Sequence, residues 1–248
     1  MYISLVCSLA EKATSTILLR DLNLHGSAAS SSIWIENSDA EKHNIVWLER
    51  LSVRGGGDLP SDGEVDGDEE DDDLPGLPAV TLRMKSAYVL VRNVEFSSNA
   101  GRAVHVTFAS ETREKESEVT ITQNTMYGSR GAVYVENVGV RDANVWLTRN
   151  DIRYSQAYSH ESCIHIVNAT LEMEGNIIYN NEARFILELI DHEDRALPKN
   201  VIGNLFWLNI GLEQSSMFTV AVAAQDLVFT GNALQNPVNT FEFTPVLM

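Results

Sequence analysis

One short phrase recurs through the second half of the chain, and no other feature constrains the fold as much. Two apolar residues alternate, two residues intervene, an Asn follows, and one more apolar residue comes two places later. Val119-Ile121-Asn124-Met126 is the first clean copy. Val145-Leu147-Asn150-Ile152, Leu171-Met173-Asn176-Ile178 and Leu227-Phe229-Asn232-Leu234 repeat it, and Val201-Asn204-Phe206 is a weaker copy with Lys199 at its first apolar slot. The Asn-to-Asn spacings are 26, 26, 28 and 28 residues. A fixed period of this size marks a stacked-repeat architecture. Upstream the apolar pattern continues at Ile17, Leu22 and Leu24, at Val46, Leu51 and Val53, and at Val89, Val94 and Phe96. In this reading Arg20, Glu49 and Arg92 take the Asn slot there.

Each phrase leads through a loop into a second strand signal with period-2 alternation. These signals are Ile33-Trp34-Ile35, Val80-Thr81-Leu82, Val104-His105-Val106, Val133-Tyr134-Val135, Ile164-His165-Ile166, Phe185-Ile186-Leu187, Phe218-Thr219-Val220 and Phe241-Glu242-Phe243. Short strands in constant register, one unit per period, predict an all-β chain: a right-handed parallel β-helix of about eight coils over residues 1–248. Leucine-rich repeats need a denser Leu pattern, and propeller blades a longer period. A β-sandwich has no phrase in constant register. Met1 to Ala10 reads as strand and not signal peptide, since it lacks a basic first segment and a cleavage site. Neither end carries a polar cap, as solenoid ends require, so the expectation is a segment of a longer array.

The recurring Asn suits a turn that needs left-handed backbone. Stacked at about 4.8 Å, such side chains can hydrogen-bond into a ladder. Asn124, Asn150, Asn176, Asn204 and Asn232 are therefore expected to be scaffold rather than ligand contacts.

Charge is uneven. The net charge is −17, yet ten carboxylates and no base lie between Asp58 and Asp73; the remaining 25 acids and 18 bases leave −7. With no basic stripe, the chain is not expected to bind nucleic acid. Residues 54–77 read as a disordered acidic insertion in one loop. Within it Asp62, Glu64, Asp66, Gly67, Asp68, Glu70 and Asp73 match the ligand spacing of an EF-hand loop. Flanking helices are missing, however, and an Asp stands at the twelfth position, so a solvated tether is expected and no metal site. Cys7 and Cys163 carry no spacing motif and are expected to be free buried thiols. No run of about 18 apolar residues exists to span a membrane.

Glycoside hydrolysis requires a pair of carboxylates at a defined separation. The candidates are Asp151, Glu172, Glu174 and Glu188, with Arg149 and Arg153 beside them. No dense acidic cluster is evident, so no catalytic residue is assigned. Among His25, His43, His105, His160, His165 and His192, only His105 and His165 are placed for a common outer face, two coils apart. Asn168-Ala169-Thr170 is the only glycosylation sequon, in an expected exposed turn, and makes Asn168 a candidate glycan carrier.

The last 50 residues add a family signal. Asn204-Leu205-Phe206, then Gly231-Asn232-Ala233-Leu234-Gln235-Asn236-Pro237, then Phe241-Glu242-Phe243 follow the pattern N-x-φ-x-N-P and φ-E-φ, where φ is apolar. This resembles the β-helix repeats of the bark beetle (Anakonda) family, large invertebrate single-pass proteins of epithelial tricellular junctions. The resemblance extends loosely over most of residues 88–248 and does not explain the acidic insertion. It implies a non-enzymatic extracellular scaffold in cell–cell adhesion, with no cofactor and with protein partners at junctions or in the extracellular matrix. A carbohydrate-active enzyme like pectate lyase, or a carbohydrate-binding module, is the alternative.

Overall fold

The computed structural model describes residues 3–4, 15–26, 31–37, 44–55, 76–109, 116–139, 142–157, 161–192, 197–212, 217–221, 226–237 and 241–243. The chain winds as a right-handed parallel β-helix, each turn laying one strand on each of three sheets. Sheet I holds nine strands, from Ile3–Ser4 and Ile33–Asn37 through Val104–Phe108 to Phe241–Phe243. Sheet II holds eight, from Thr16–Arg20 to Leu227–Thr230. Sheet III holds eight three-residue strands, from Asn23–His25 to Ala233–Gln235. Every pairing between these strands is parallel and in register, with the period-2 pattern setting the face. Six consecutive turns lie between residues 79 and 239.

Three inward columns form the core. Val80, Val104, Val133, Ile164 and Leu187 stack on sheet I. Val91, Ile121, Leu147, Met173 and Val201 stack on sheet II. Val53, Phe96, Met126, Ile152, Ile178 and Phe206 stack on sheet III. All are buried. Each full burial contributes about 1.5–3 kcal/mol relative to exposure, and stacking neighbours makes the core continuous, as a solenoid requires.

Three expectations change in detail. The residue with left-handed backbone is not the Asn but the one before it: Gln123, Arg149, Gly175, Gly203 and Gly231 have φ between 54° and 65°. Arg20, Glu49 and Arg92 do not occupy the Asn slot. They align with Thr122 at the end of the sheet II strand. The slot itself holds Leu22, Leu51 and Val94, each directly after a left-handed residue (Asp21, Arg50, Asn93). Finally, the sheet I strand expected at 185–187 runs Leu187–Ile190. Phe185 and Ile186 are buried in the corner before it, so the apolar run begins two residues before the strand.

The acidic insertion is narrower than 54–77. Arg54 ends a sheet III strand and pairs with Ser97, and Gly76 and Leu77 are described on the far side. The EF-hand-like run from Asp62 to Asp73 lies outside the described residues, as do Cys7, His43 and His160.

Candidate functional site

The Asn column is a continuous ladder. The amide Nδ2 of Asn124, Asn150, Asn176 and Asn204 donates to the Oδ1 of the Asn one turn on, at 3.0, 3.0, 2.8 and 3.0 Å. The same Oδ1 atoms accept the backbone N–H of the preceding turn's Asn at 3.0, 2.9, 3.0 and 2.8 Å. Each Nδ2 also reaches an inward strand carbonyl, as Asn176 does to Leu147 O at 2.7 Å. The left-handed corner breaks the strand ladder and would strand these buried backbone groups; the Asn amide pairs with them.

A second polar column runs along the corner after sheet III. Asn181 and Asn209 donate to the Oδ1 of Asn209 and Asn236 at 2.9 and 3.1 Å. Ser155 N–H donates to Asn181 Oδ1 at 2.9 Å, and Asn99 donates to Ser129 Oγ at 3.0 Å further upstream. The signal was a second Asn five residues after Asn176 and Asn204, and four after Asn232.

The four candidate carboxylates fall on three different faces. Asp151 is on sheet III and is ion-paired with Arg153, whose Nε donates at 2.8 Å. Glu172 and Glu174 point outward from one sheet II strand, and Asn200 donates to Glu172 at 2.6 Å. Glu188 is buried on sheet I. Arg149 supplies a left-handed corner. The structure therefore does not bring these groups into one site.

Asn168 does lie in a turn after a sheet I strand, but its side chain is not exposed as expected. Its Nδ2 donates to Asn137 O at 3.3 Å, and its Oδ1 accepts His192 N–H at 2.7 Å. Both ends of the amide are engaged and buried, so the corner uses this Asn as a brace.

His105 and His165 share the outer face of sheet I, with Tyr134 between them in register. The ring centroids are 4.5 and 5.0 Å apart. Arg102 lies over Tyr134 at 5.4 Å and donates to Ser162 O at 2.6 Å. Arg102, His105 and Tyr134, with Trp34, Thr81, Arg83 and Glu161, border a groove of about 370 Å³. Burial, then the charges of Arg102 and Arg83, push His105 down to about 4. Burial also takes His165 down to about 4 against the opposing pull of Glu188. Both imidazoles are neutral at neutral pH. Glu188 receives the Ser162 hydroxyl and lies 3.3 Å from His165 Nδ1. The carboxylate, not the imidazole, faces the serine, so the trio lacks the order by which an imidazole activates a hydroxyl.

Cys163 is a free, fully buried thiol whose pKa burial raises to about 12, which makes it inert. Among the described residues no three His, Cys, Asp or Glu side chains converge as a metal site, and no helix is long and apolar enough to cross a membrane.

Two outer faces expose apolar side chains. On sheet II, Leu18, Trp47, Leu90 and Trp146 fall in one outward column interrupted only by Thr120. Leu18 is 47% exposed, Trp47 42%, and Tyr88 in the neighbouring column 44%. On sheet III, Tyr127, Tyr179 and Trp207 stand at the third position of their strands.

Residues 79–239 match the family model described as right handed beta helix region. That is more than half of the chain, and the chain belongs to this family of right-handed β-helix proteins. No curated protein and no solved structure matches it.

Proposed function

We propose that this β-helix is a non-catalytic, extracellular scaffold of an adhesion or junction protein, which holds protein partners along its outer faces. The observation that carries this reading is the apolar column of Leu18, Trp47, Leu90 and Trp146 on sheet II. Exposed Trp and Tyr at the centre of a flat face are the chemistry of interface hot spots. Eight strands of four to six residues give that face roughly 700 Å² at ordinary strand spacing and rise, close to the roughly 800 Å² per partner of a stable protein interface. The resemblance of the Asn-centred repeat to junction proteins supports the cellular setting. The dispersal of Asp151, Glu172, Glu174 and Glu188 over three sheets supports binding over hydrolysis.

The test is adhesion. Beads coated with the chain should bind epithelial cell surfaces, and Trp47→Ser with Trp146→Ser should weaken capture at least about thirtyfold, the effect of losing one hot spot. Circular dichroism should show the variant folded. Coated beads that bind no better than bare ones would overturn the reading, as would depolymerisation of an acidic polysaccharide by the purified chain.

A further inference from the structure

Four aromatic rings from four successive turns form a continuous row along sheet III and its second corner. Tyr127, Tyr154, Tyr179 and Trp207 follow one another with centroids 5.3, 5.4 and 5.0 Å apart and planes turned by 61°, 81° and 37°. Tyr127 is 47% exposed, Tyr154 38% and Trp207 42%. The row is not core packing, because its rings lie on the outside. It also carries strain. Tyr154 has φ 56° at a corner position held elsewhere by Ser98, Gly128, Asn180 and Leu208, so it is one of two bulky side chains there. A bulky side chain is disfavoured in left-handed backbone, and strain of this kind gathers at functional sites. The strained position is what places the Tyr154 ring between Tyr127 and Tyr179.

We propose that this row binds an extended proline-rich segment of a partner protein, lying parallel to the solenoid axis, with a basic residue at its flank. Three properties of such a segment fit the row. A polyproline II helix completes a turn in three residues of about 3.1 Å, or about 9.3 Å. Tyr127 and Tyr179 stand at the same strand position two solenoid turns apart, about 9.6 Å at ordinary strand spacing, so successive turns of the ligand meet these two rings. Its carbonyls are free of internal hydrogen bonds, and tyrosine hydroxyls and the Trp207 indole N–H are donors. Aromatic surfaces of this kind are how proline-rich segments are commonly held. A flat sugar ribbon fits less well, because steps of 61° and 81° deny it successive parallel faces. Charge sets the flank. Arg153, in register between Tyr127 and Tyr179, is neutralised by Asp151, and Glu182, bridged to Gln156 two residues beyond Tyr154, adds a negative charge on that side. This site is independent of the sheet II surface, so either can fail alone.

The probe is a synthetic peptide of about eight prolines with an arginine at each end, long enough to exceed the roughly 14 Å of the row. It is titrated into the whole chain and followed by tryptophan fluorescence and calorimetry. Saturable binding below about 1 mM is expected. Tyr154→Asn and Trp207→Gln should each weaken it about tenfold, and glutamates in place of the arginines should weaken it too. Val138→Ser, an exposed change in the bend after a sheet I strand, should leave it unchanged. Unchanged thermal melts keep the variants interpretable. The proposal is overturned by absence of binding, by binding that both variants leave intact, by a neutral glucan oligomer taking the row instead, or by self-association that Tyr154→Asn abolishes.

Discussion

Replacing Asn176 by Ala tests whether the ladder holds the corner together. The side chain donates to Leu147 O at 2.7 Å and to Asn204 Oδ1 at 2.8 Å, and accepts the Asn150 N–H at 2.9 Å and the Asn150 amide at 3.0 Å. Alanine leaves the Leu147 carbonyl and the Asn150 N–H without this partner in a dry corner. Each stranded buried group costs about 1–3 kcal/mol, so the loss of two should be about 2–6 kcal/mol. Asn232 makes the same two backbone bonds, to Val201 O and from the Asn204 N–H, but is half-buried, so water can reach the stranded groups and Asn232→Ala should cost about half as much. Asn176→Asp sets a buried carboxylate oxygen against Leu147 O and Asn204 Oδ1, and at neutral pH should cost at least as much as Ala. Urea unfolding reads the difference as a lower midpoint at unchanged slope. A loss below about 1 kcal/mol for Asn176→Ala, or equal losses at 176 and 232, would refute the argument that stranded backbone groups set the cost.

Lys199 sits fully buried in a column with Leu171 and Leu227, its Nζ 2.9 and 2.7 Å from the Asp191 oxygens. Lys199→Leu alone should cost about 3–5 kcal/mol, because Asp191 stays buried without its partner; adding Asp191→Ala should recover most of it, as a double-mutant cycle in urea will show. His105 and His165, both held near 4 in the fold, take up protons in the unfolded chain near 6.5. Their contribution is therefore complete above about pH 6.5 and is lost as pH falls towards 4, up to about 3 kcal/mol for each. Unfolding midpoints between pH 7 and 4.5 should fall, and His105→Gln with His165→Gln should flatten that slope. Gly203 has φ 65° and open space around an added Cβ, so Gly203→Ala should cost only about 1 kcal/mol from backbone strain. A loss above about 2 kcal/mol in its thermal or urea melt would contradict that.

The solenoid was legible because its columns repeat at fixed spacing, which the phrase from Val119 to Leu234 displays directly. The corners were less so. Leu22, Leu51 and Val94 look like strand residues, and the charged residues two places earlier draw the eye instead. Arg20, Glu49 and Arg92 form their own lateral column, with Glu49 ion-paired to both arginines, a relation that crosses turns and leaves no local pattern. At 185–187 three consecutive apolar residues cannot reveal which face they take, since all are buried and the corner claims two of them. The aromatic row is harder still: Tyr154 sits one position beyond the column of Tyr127, Tyr179 and Trp207, so no single period contains all four.

The same corner between sheets II and III is thus built in two ways along one chain. Downstream, buried Asn amides pair with the backbone directly. Upstream, Leu22 and Leu51 bring no side-chain amide, and the turns are tied instead by Arg20, Glu49 and Arg92 and by Asp21 with Arg50, whose Nε donates at 2.6 Å. Arg20, Arg92, Arg50 and Asp21 are all more than 40% exposed, and exposed ion pairs weaken as salt screens them. The Asn ladder has no net charge to screen. Amide exchange should therefore separate the halves: Leu51 N–H should exchange faster than Asn124, Asn150 and Asn176 N–H, and adding about 1 M salt should widen the gap by speeding the upstream corner alone. Equal protection of the two corners, or a salt effect shared by both, would mean that the charged column contributes nothing and that core stacking alone holds every turn.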